Sequence, residues 1–245
     1  MKIYLAGFKT IEKSWTGSTK DIYLLSSFYE HRNGKFGEYV YQKKHMLDSG
    51  AFSVITGVAK NINWDEYVDR YIKFIKKTKQ KLFIELDIDN IIGLKKVEYY
   101  RNKITDAIGI KPIPVWHKSR GKEYWLKMIE EFNYVAIGGF AIRTILPNEY
   151  KYIPWFLNTA RQNNCKVHGL GFTKSSLLKK YKFYSVDSTT WNVGGKFGNV
   201  VLLDKRGYPR QRYKKENSRV KNINELNLYN FRQWVKFQKY AEKNL

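Results

Sequence analysis

From about residue 80 onward, short runs of β-branched and aromatic residues alternate with longer segments of helical period. Such alternation restricts a chain to folds in which β-α units repeat around a parallel sheet. The sequence predicts strands over Lys2–Ala6, over Ile22–Leu25 or the run into Met46 and Leu47, and then over Leu82–Leu86, Lys111–Trp116, Tyr134–Ile137, Lys166–His168, Phe183–Val186 and Val200–Leu203. Eight strands in 245 residues lead to the expectation of one (β/α)8 barrel of the triosephosphate isomerase type, a single domain over residues 1–245.

Helices are expected between the strands. Over Asp65–Lys79, the residues Tyr67, Val68, Tyr71, Ile72 and Ile75 form one apolar stripe with lysines opposite, and Asn63 is placed to cap it. Further helices are predicted at Lys95–Ala107, Lys122–Phe132, Asn148–Gln162, Ser175–Lys182 and Ile223–Lys243, the last covering the end of the barrel.

The charge balance narrows the partners. Lys plus Arg number 45 against 22 Asp plus Glu, a formal charge of +23 that exceeds what solubility needs and suits a polyanion, nucleic acid first. A lysine-rich solvated surface is the alternative. Lys205–Arg219 (KRGYPRQRYKKENSR) is the densest basic stretch, with Tyr208 and Tyr213 interleaved. It is expected to be an exposed loop ahead of the C-terminal helix, in which Lys205, Arg206, Arg210, Arg212, Lys214 and Lys215 grip phosphates while the tyrosines stack on bases or sugars; a solvated linker is the plainer reading. One cysteine, Cys165, excludes a disulfide framework and every multi-cysteine zinc cluster. With no apolar run of membrane length and no leader pattern at MKIYLAGFKT, the expected setting is the cytoplasm, or a host's cytoplasm if a phage encodes the chain.

In a parallel α/β barrel the active site lies at the carboxyl ends of the strands. Those positions hold Asp48-Ser49-Gly50-Ala51-Phe52, Asp87-Ile88-Asp89-Asn90, His117, Gly138-Gly139-Phe140, Gly169-Leu170-Gly171 and Asp187-Ser188-Thr189. Each aspartate alone reads equally well as the cap of a following helix. Several at one relative position, among glycines that open the backbone, point to a shared pocket.

The same motifs resemble a family, the tRNA-guanine transglycosylases and their relatives that insert 7-deazaguanine bases into DNA. Leu47-Asp48-Ser49-Gly50-Ala51-Phe52 is similar to the family's Asp-Ser-Gly-Gly-Phe segment, Leu86-Asp87 to its second acidic strand end, and Ala136-Ile137-Gly138-Gly139-Phe140-Ala141 to its Ile-Gly-Gly-Leu-Ala segment. Val167 to Phe172 resembles its Gly-x-Gly strand end, and Ser185-Val186-Asp187-Ser188 the strand bearing its nucleophile. The resemblance covers roughly residues 46 to 190, and it rests on the order of short motifs.

What the resemblance implies is a barrel that exchanges a guanine base through a covalent aspartyl-glycosyl intermediate, with no cofactor. Asp187 takes the part of the nucleophile and Asp48 that of the proton-shuttling acid and base. Asp87, or Asp89 in its place, accepts the ring N–H and exocyclic amine of guanine, a pair that adenine does not present. Ser49 belongs to the same substrate-binding segment, the amides of Gly138 and Gly139 meet the base's carbonyl oxygen, and Phe52 stacks on its ring or else packs in the core. His117 stands where the family usually carries a base-contacting glutamine; a structural histidine is the other reading.

Two departures shift the expected substrate. The three-cysteine, one-histidine zinc site of the tRNA enzymes cannot exist in this chain, and the segment after Asp187, Ser188-Thr189-Thr190-Trp191-Asn192-Val193-Gly194-Gly195, does not reproduce their basic stretch. A compact, zinc-free form is similar to the DNA-modifying relatives of phages and mobile elements. The expected partners are therefore DNA and a free 7-deazaguanine of the preQ0 type. tRNA is the alternative substrate; a barrel that binds nucleic acid without chemistry, and a sugar-cleaving hydrolase using paired carboxylates, are the competing classes.

Overall fold

The computed structural model describes residues 1–50, 62–192, 197–213 and 220–245. Its frame is a curled parallel sheet of seven strands: β1 (Lys2–Ala6), β2 (Leu24–Ser27), β3 (His45–Asp48), β4 (Val115–Trp116), β5 (Tyr134–Ile137), β6 (Lys166–Gly169) and β7 (Ser185–Ser188). They lie in the order β3-β2-β1-β7-β6-β5-β4. Both candidates for the second strand are therefore strands, β2 and β3 side by side, with Leu24 opposite His45 and Ser27 opposite Asp48.

The predicted strand at Leu82–Leu86 is present only as isolated parallel bridges, Leu47 with Phe83 and Ile84 with Ile113. Its bonds reach Leu47 of β3 on one side and Ile113, two residues ahead of β4, on the other. Leu47 N–H donates to Leu82 O and Ile84 N–H to Leu47 O, each at 2.9 Å, while Glu85 N–H donates to Ile113 O at 3.0 Å and Ile113 N–H to Phe83 O at 2.8 Å.

Helices α1 (Phe28–His31), α2 (Trp64–Thr78), α3 (Asp89–Ile92), α4 (Leu94–Ile108), α5 (Gly121–Glu131), α6 (Ile153–Gln162), α7 (Ser175–Leu178) and α8 (Ile223–Asn244) follow in chain order. The Asn63 side chain caps α2 by accepting from Glu66 N–H at 3.3 Å, and the predicted stripe of Tyr67, Val68, Tyr71, Ile72 and Ile75 is its buried face. The helix expected from Asn148 begins with a 3-10 segment, Pro147–Tyr152, because Pro154 lacks an N–H and is tolerated only in a first helical turn. No helix among the described residues is long and apolar enough to cross a membrane.

Alternation along the strands divides the core into two layers. Ile3 and Leu5 of β1 face outward and pack with Phe231, Trp234, Phe237 and Ala241 of α8. Tyr4 and Ala6 face the concave side, where they meet Tyr23, Leu25, Met46, Ile84, Ile113, Val115, Tyr134 and Ala136. At about 1.5–3 kcal/mol for each large apolar side chain buried, the inner layer is a substantial store of stability. α8 is further fixed by Gln238, whose amide donates to Ile3 O at 2.6 Å and Tyr23 O at 2.9 Å at the amino ends of β1 and β2.

Two expectations fail at the C-terminal third. Val200–Leu203 is a strand, β8, but it lies outside the parallel sheet and pairs antiparallel with β9 (Pro209–Arg212). The basic segment is accordingly a hairpin arm over part of its length, not a loop throughout. Asp204 folds the turn: its carboxylate accepts from Arg206 N–H at 2.9 Å and Tyr208 N–H at 3.0 Å, and Gly207 takes the positive φ of 80° that the turn needs. Asn230 of α8 ties the hairpin down by accepting from Val201 N–H at 2.8 Å and donating to Asn199 O at 2.9 Å.

Candidate active site

Asp48 ends β3, Asp87 follows the bridged segment and Asp187 is the third residue of β7, so all three carboxylates stand at the carboxyl ends of parallel strands. They are close enough to repel one another. Burial, chiefly, and then the charges of Asp87 and Asp187 push the Asp48 carboxyl up to about 7, against the opposing pull of a hydrogen bond from Gly50 N–H. Gly50 turns the chain away from Asp48 with φ 88°, and a Cβ there would lie 2.6 Å from Cβ of Tyr29. A glycine is therefore required after the Asp48-Ser49 pair.

Asp87 is held by His117, whose Nε2 lies 3.2 Å from Asp87 Oδ2. Burial works to lower the imidazole's pKa, but the hydrogen bond and charge of Asp87, with Asp89 behind, prevail and raise it. The ring fits only because residue 138 is glycine: a Cβ there would fall 2.5 Å from His117 Cε1. Behind this pair runs a buried ionic chain. Glu85 accepts from Arg101 Nε at 2.6 Å, Arg120 Nη1 at 3.0 Å and Val115 N–H at 2.8 Å, and Arg120 also donates to Asp89 Oδ1 at 3.1 Å.

Among the described residues Asp187 is bonded through one oxygen. Its Oδ1 accepts Gly171 N–H at 2.6 Å and lies 3.3 Å from His168 Nε2. His168 Nδ1 is 2.5 Å from Ser185 Oγ, which is 2.6 Å from the Tyr134 hydroxyl.

Several expected contacts are redirected. Asp89 is committed to Arg120, which draws its pKa down against the effect of burial, so Asp87 alone of the two offers a carboxylate oxygen to a base. The Gly138 amide is spent on Trp116 O at 2.9 Å; the amide of Gly139 has no hydrogen-bond partner among the described residues. The Ser49 side chain is fully buried, and its hydroxyl is unpartnered among the described residues. Phe52 lies outside the described residues.

In the hairpin, Lys205, Arg206, Arg210 and Arg212 are exposed, although Arg210 is paired with Asp204 at 3.0 Å. Lys214 and Lys215 lie outside the described residues. Tyr213 is 74% exposed, as a stacking platform must be. Tyr208 is not available for stacking on a base, because it packs against Phe237 and Tyr240 of α8 at ring-centre distances of 5.5 and 5.8 Å.

The sequence assigns no site role to Ser185, Tyr134, Glu85 or Arg120, and it reads His168 as a surface or packing residue. The signal for His168 and Ser185 was polar side chains facing inward on neighbouring strands, where His168 is registered against Ser185. No protein-family model matches the chain, and no curated protein matches it.

Proposed function

We propose that this chain is a base-exchange enzyme of the guanine transglycosylase type, acting on DNA. One observation carries the reading: three strand-end carboxylates share a site in which Asp48 is raised to about 7 by burial and by the charges of the other two. A group titrating at neutrality both gives and takes a proton readily, as base exchange demands twice per turnover.

In the proposed reaction the Asp187 carboxylate attacks the anomeric carbon of a guanosine. The glycosidic C–N bond breaks, its electron pair leaves with the purine, and protonated Asp48 supplies the proton that neutralises it. The incoming 7-deazaguanine then loses its ring proton to Asp48 and displaces Asp187, which restores both carboxylates. Asp87, held by His117, accepts the N–H groups of the base's pyrimidine edge, and the Gly139 amide faces its carbonyl oxygen. The target nucleotide has to be flipped out or single-stranded to reach Asp187.

The eight-stranded barrel is part of the same proposal. Residues 82–86 take the place of the strand between β3 and β4, because they bond to Leu47 of β3 and to Ile113 just ahead of β4, and Ile84 joins the inner layer with residues from β1 to β5. DNA is preferred to tRNA on the missing cysteines and the altered sequence after Asp187.

The test is direct. The purified protein is incubated with labelled guanine and either DNA or tRNA, and nucleosides digested from expressing cells are analysed for 7-deazaguanine. Label in DNA supports the proposal, label only in tRNA transfers it to the alternative substrate, and label in neither leaves a barrel that binds without chemistry.

Two further outcomes are expected. His117→Ala loses the group that orients Asp87, so the KM for the free base rises by about tenfold or more, as for one charge-assisted hydrogen bond, while kcat changes little; steady-state kinetics with varied base read this. Arg212→Ala weakens DNA binding equally for all sequences and lowers the slope of log K against log salt by about 1. Arg210→Ala has the smaller effect, because that guanidinium is already paired with Asp204; titrations at several salt concentrations compare the two.

A further inference from the structure

We propose that His168 is a positioning residue that orients Asp187 and leaves Oδ2 as its attacking oxygen; this rests on the reading of Asp187 as the nucleophile. Four groups form an unbroken line from the site into the core: Asp187 Oδ1, His168 Nε2 at 3.3 Å, Ser185 Oγ at 2.5 Å from Nδ1, and the Tyr134 hydroxyl at 2.6 Å from Ser185. The side chain of Asp187 is 12% exposed and that of His168 is 0% exposed. A substrate therefore meets the carboxylate and never the imidazole, the reverse of a hydrolase triad, in which the histidine faces the substrate and the carboxylate stands behind it.

Proton counting fixes the direction of the line. An ionised Asp187 is an acceptor only, so Nε2 carries a hydrogen. Ser185 has one hydrogen for two neighbours. Given to His168 Nδ1, it leaves the serine oxygen to accept from Tyr134, and every group is satisfied with a neutral imidazole. All three hydrogens then point toward Asp187. Each bond polarises the next, and the line ends at the one carboxylate among its four groups.

The geometry also distinguishes the two carboxylate oxygens. Oδ1 accepts both Gly171 N–H and His168 Nε2–H; Oδ2 has no hydrogen-bond partner among the described residues. Two donors on one oxygen fix the rotation of the carboxylate and lower the basicity of that oxygen, so the lone pairs free to attack are those of Oδ2. The His168 ring is itself packed edge-to-face against Tyr4, with ring centres 6.0 Å apart, and is fully buried.

The test compares His168→Leu and His168→Gln, with thermal melts recorded for both. A glutamine amide donates through Nε2 and accepts through Oε1, the same polarity as the imidazole in this line. His168→Leu is expected to lose about ten- to hundredfold in kcat with the KM for DNA unchanged, and His168→Gln to recover most of that loss. Equal kcat in all three proteins, or equal loss in Leu and Gln variants of native stability, overturns the proposal.

Nitrogen-15 spectra of the histidines, assigned with the His168 variants, give a reading independent of turnover. A protonated Nε2 with a bare Nδ1 on His168 is expected, and a proton on Nδ1 alone overturns the relay. Should the intact protein exchange no base, the proposed function fails, and the tautomer still decides whether the line to Asp187 is built as described.

Discussion

On the proposed reaction, Asp187→Asn will reduce base exchange by at least about a thousandfold while leaving DNA affinity within about twofold. The amide is nearly isosteric with the carboxylate, and its oxygen can still accept the Gly171 N–H that Asp187 accepts at 2.6 Å. What it lacks is a nucleophilic lone pair on a charged oxygen, and losses of this size are general where the covalent nucleophile is removed. Denaturing electrophoresis provides a second readout. Intact protein incubated with DNA in the absence of a competing base will carry a fraction of covalent protein–DNA adduct, and the Asn variant will carry none. Exchange by the Asn variant at the rate of the intact protein would refute Asp187 as nucleophile, whatever the fate of the fold.

Asp48 and Asp187 differ in how much of their setting the sequence disclosed. For Asp48 the determinants are local: the strand run ends on it, and Gly50, with φ 88°, makes the turn two residues later. A local pattern of this kind is visible in the sequence because the backbone itself imposes it. For Asp187 the determinants are distant. Its oxygen is bonded by Gly171 and His168, sixteen and nineteen residues away, and the histidine's other nitrogen meets Ser185 across a strand register. An isolated histidine before a glycine reads as packing until the neighbouring strand is known.

The misplaced elements have the same origin. Val200–Leu203 has the apolar, β-branched run of a strand and is one, but propensity does not say which strand it pairs with, and the turn at Asp204 offers it a nearer partner in Pro209–Arg212. Tyr208 lies among arginines and lysines in sequence, so it was read as solvent-facing. The hairpin instead brings it onto α8, against Phe237 and Tyr240. Conversely, Tyr134–Ile137 and the stripe of α2 are legible in the sequence, since a short bounded apolar run and a helical stripe need no partner to interpret them.

Stability will fall as the pH is lowered from about 7 to 4, and it will fall more steeply once Asp48 is replaced by Asn. Two buried histidines drive the fall. Ser26 Oγ lies 2.8 Å from His45 Nε2 and 2.9 Å from His31 Nε2, and His45 Nδ1 is 2.9 Å from Gln80 Oε1. Burial lowers both imidazoles to about 4 from the usual 6.5, helped at His31 by the charge of Lys9 and opposed at His45 by the bond to Gln80. Between those values the unfolded chain binds protons that the folded chain refuses. The stability they allow is complete above pH 6.5 and is lost as the pH drops toward 4, by up to about 3 kcal/mol for each histidine.

Asp48 acts in the opposite sense. Its folded value of about 7 lies above the usual carboxylate range, so its contribution is fully present below about pH 4 and is lost as the pH rises through 7. The cost of keeping it ionised in the fold then reaches about 4 kcal/mol at most. Asp48→Asn removes that cost and its titration together. In urea melts the variant should be the more stable protein at pH 8, should lose its advantage by about pH 4, and should show the steeper slope between. Parallel curves for the two proteins would mean that Asp48 ionises as an ordinary carboxylate. A group of that kind would hold no proton at neutral pH to give a departing purine, and the case for Asp48 as the shuttle would fall with it.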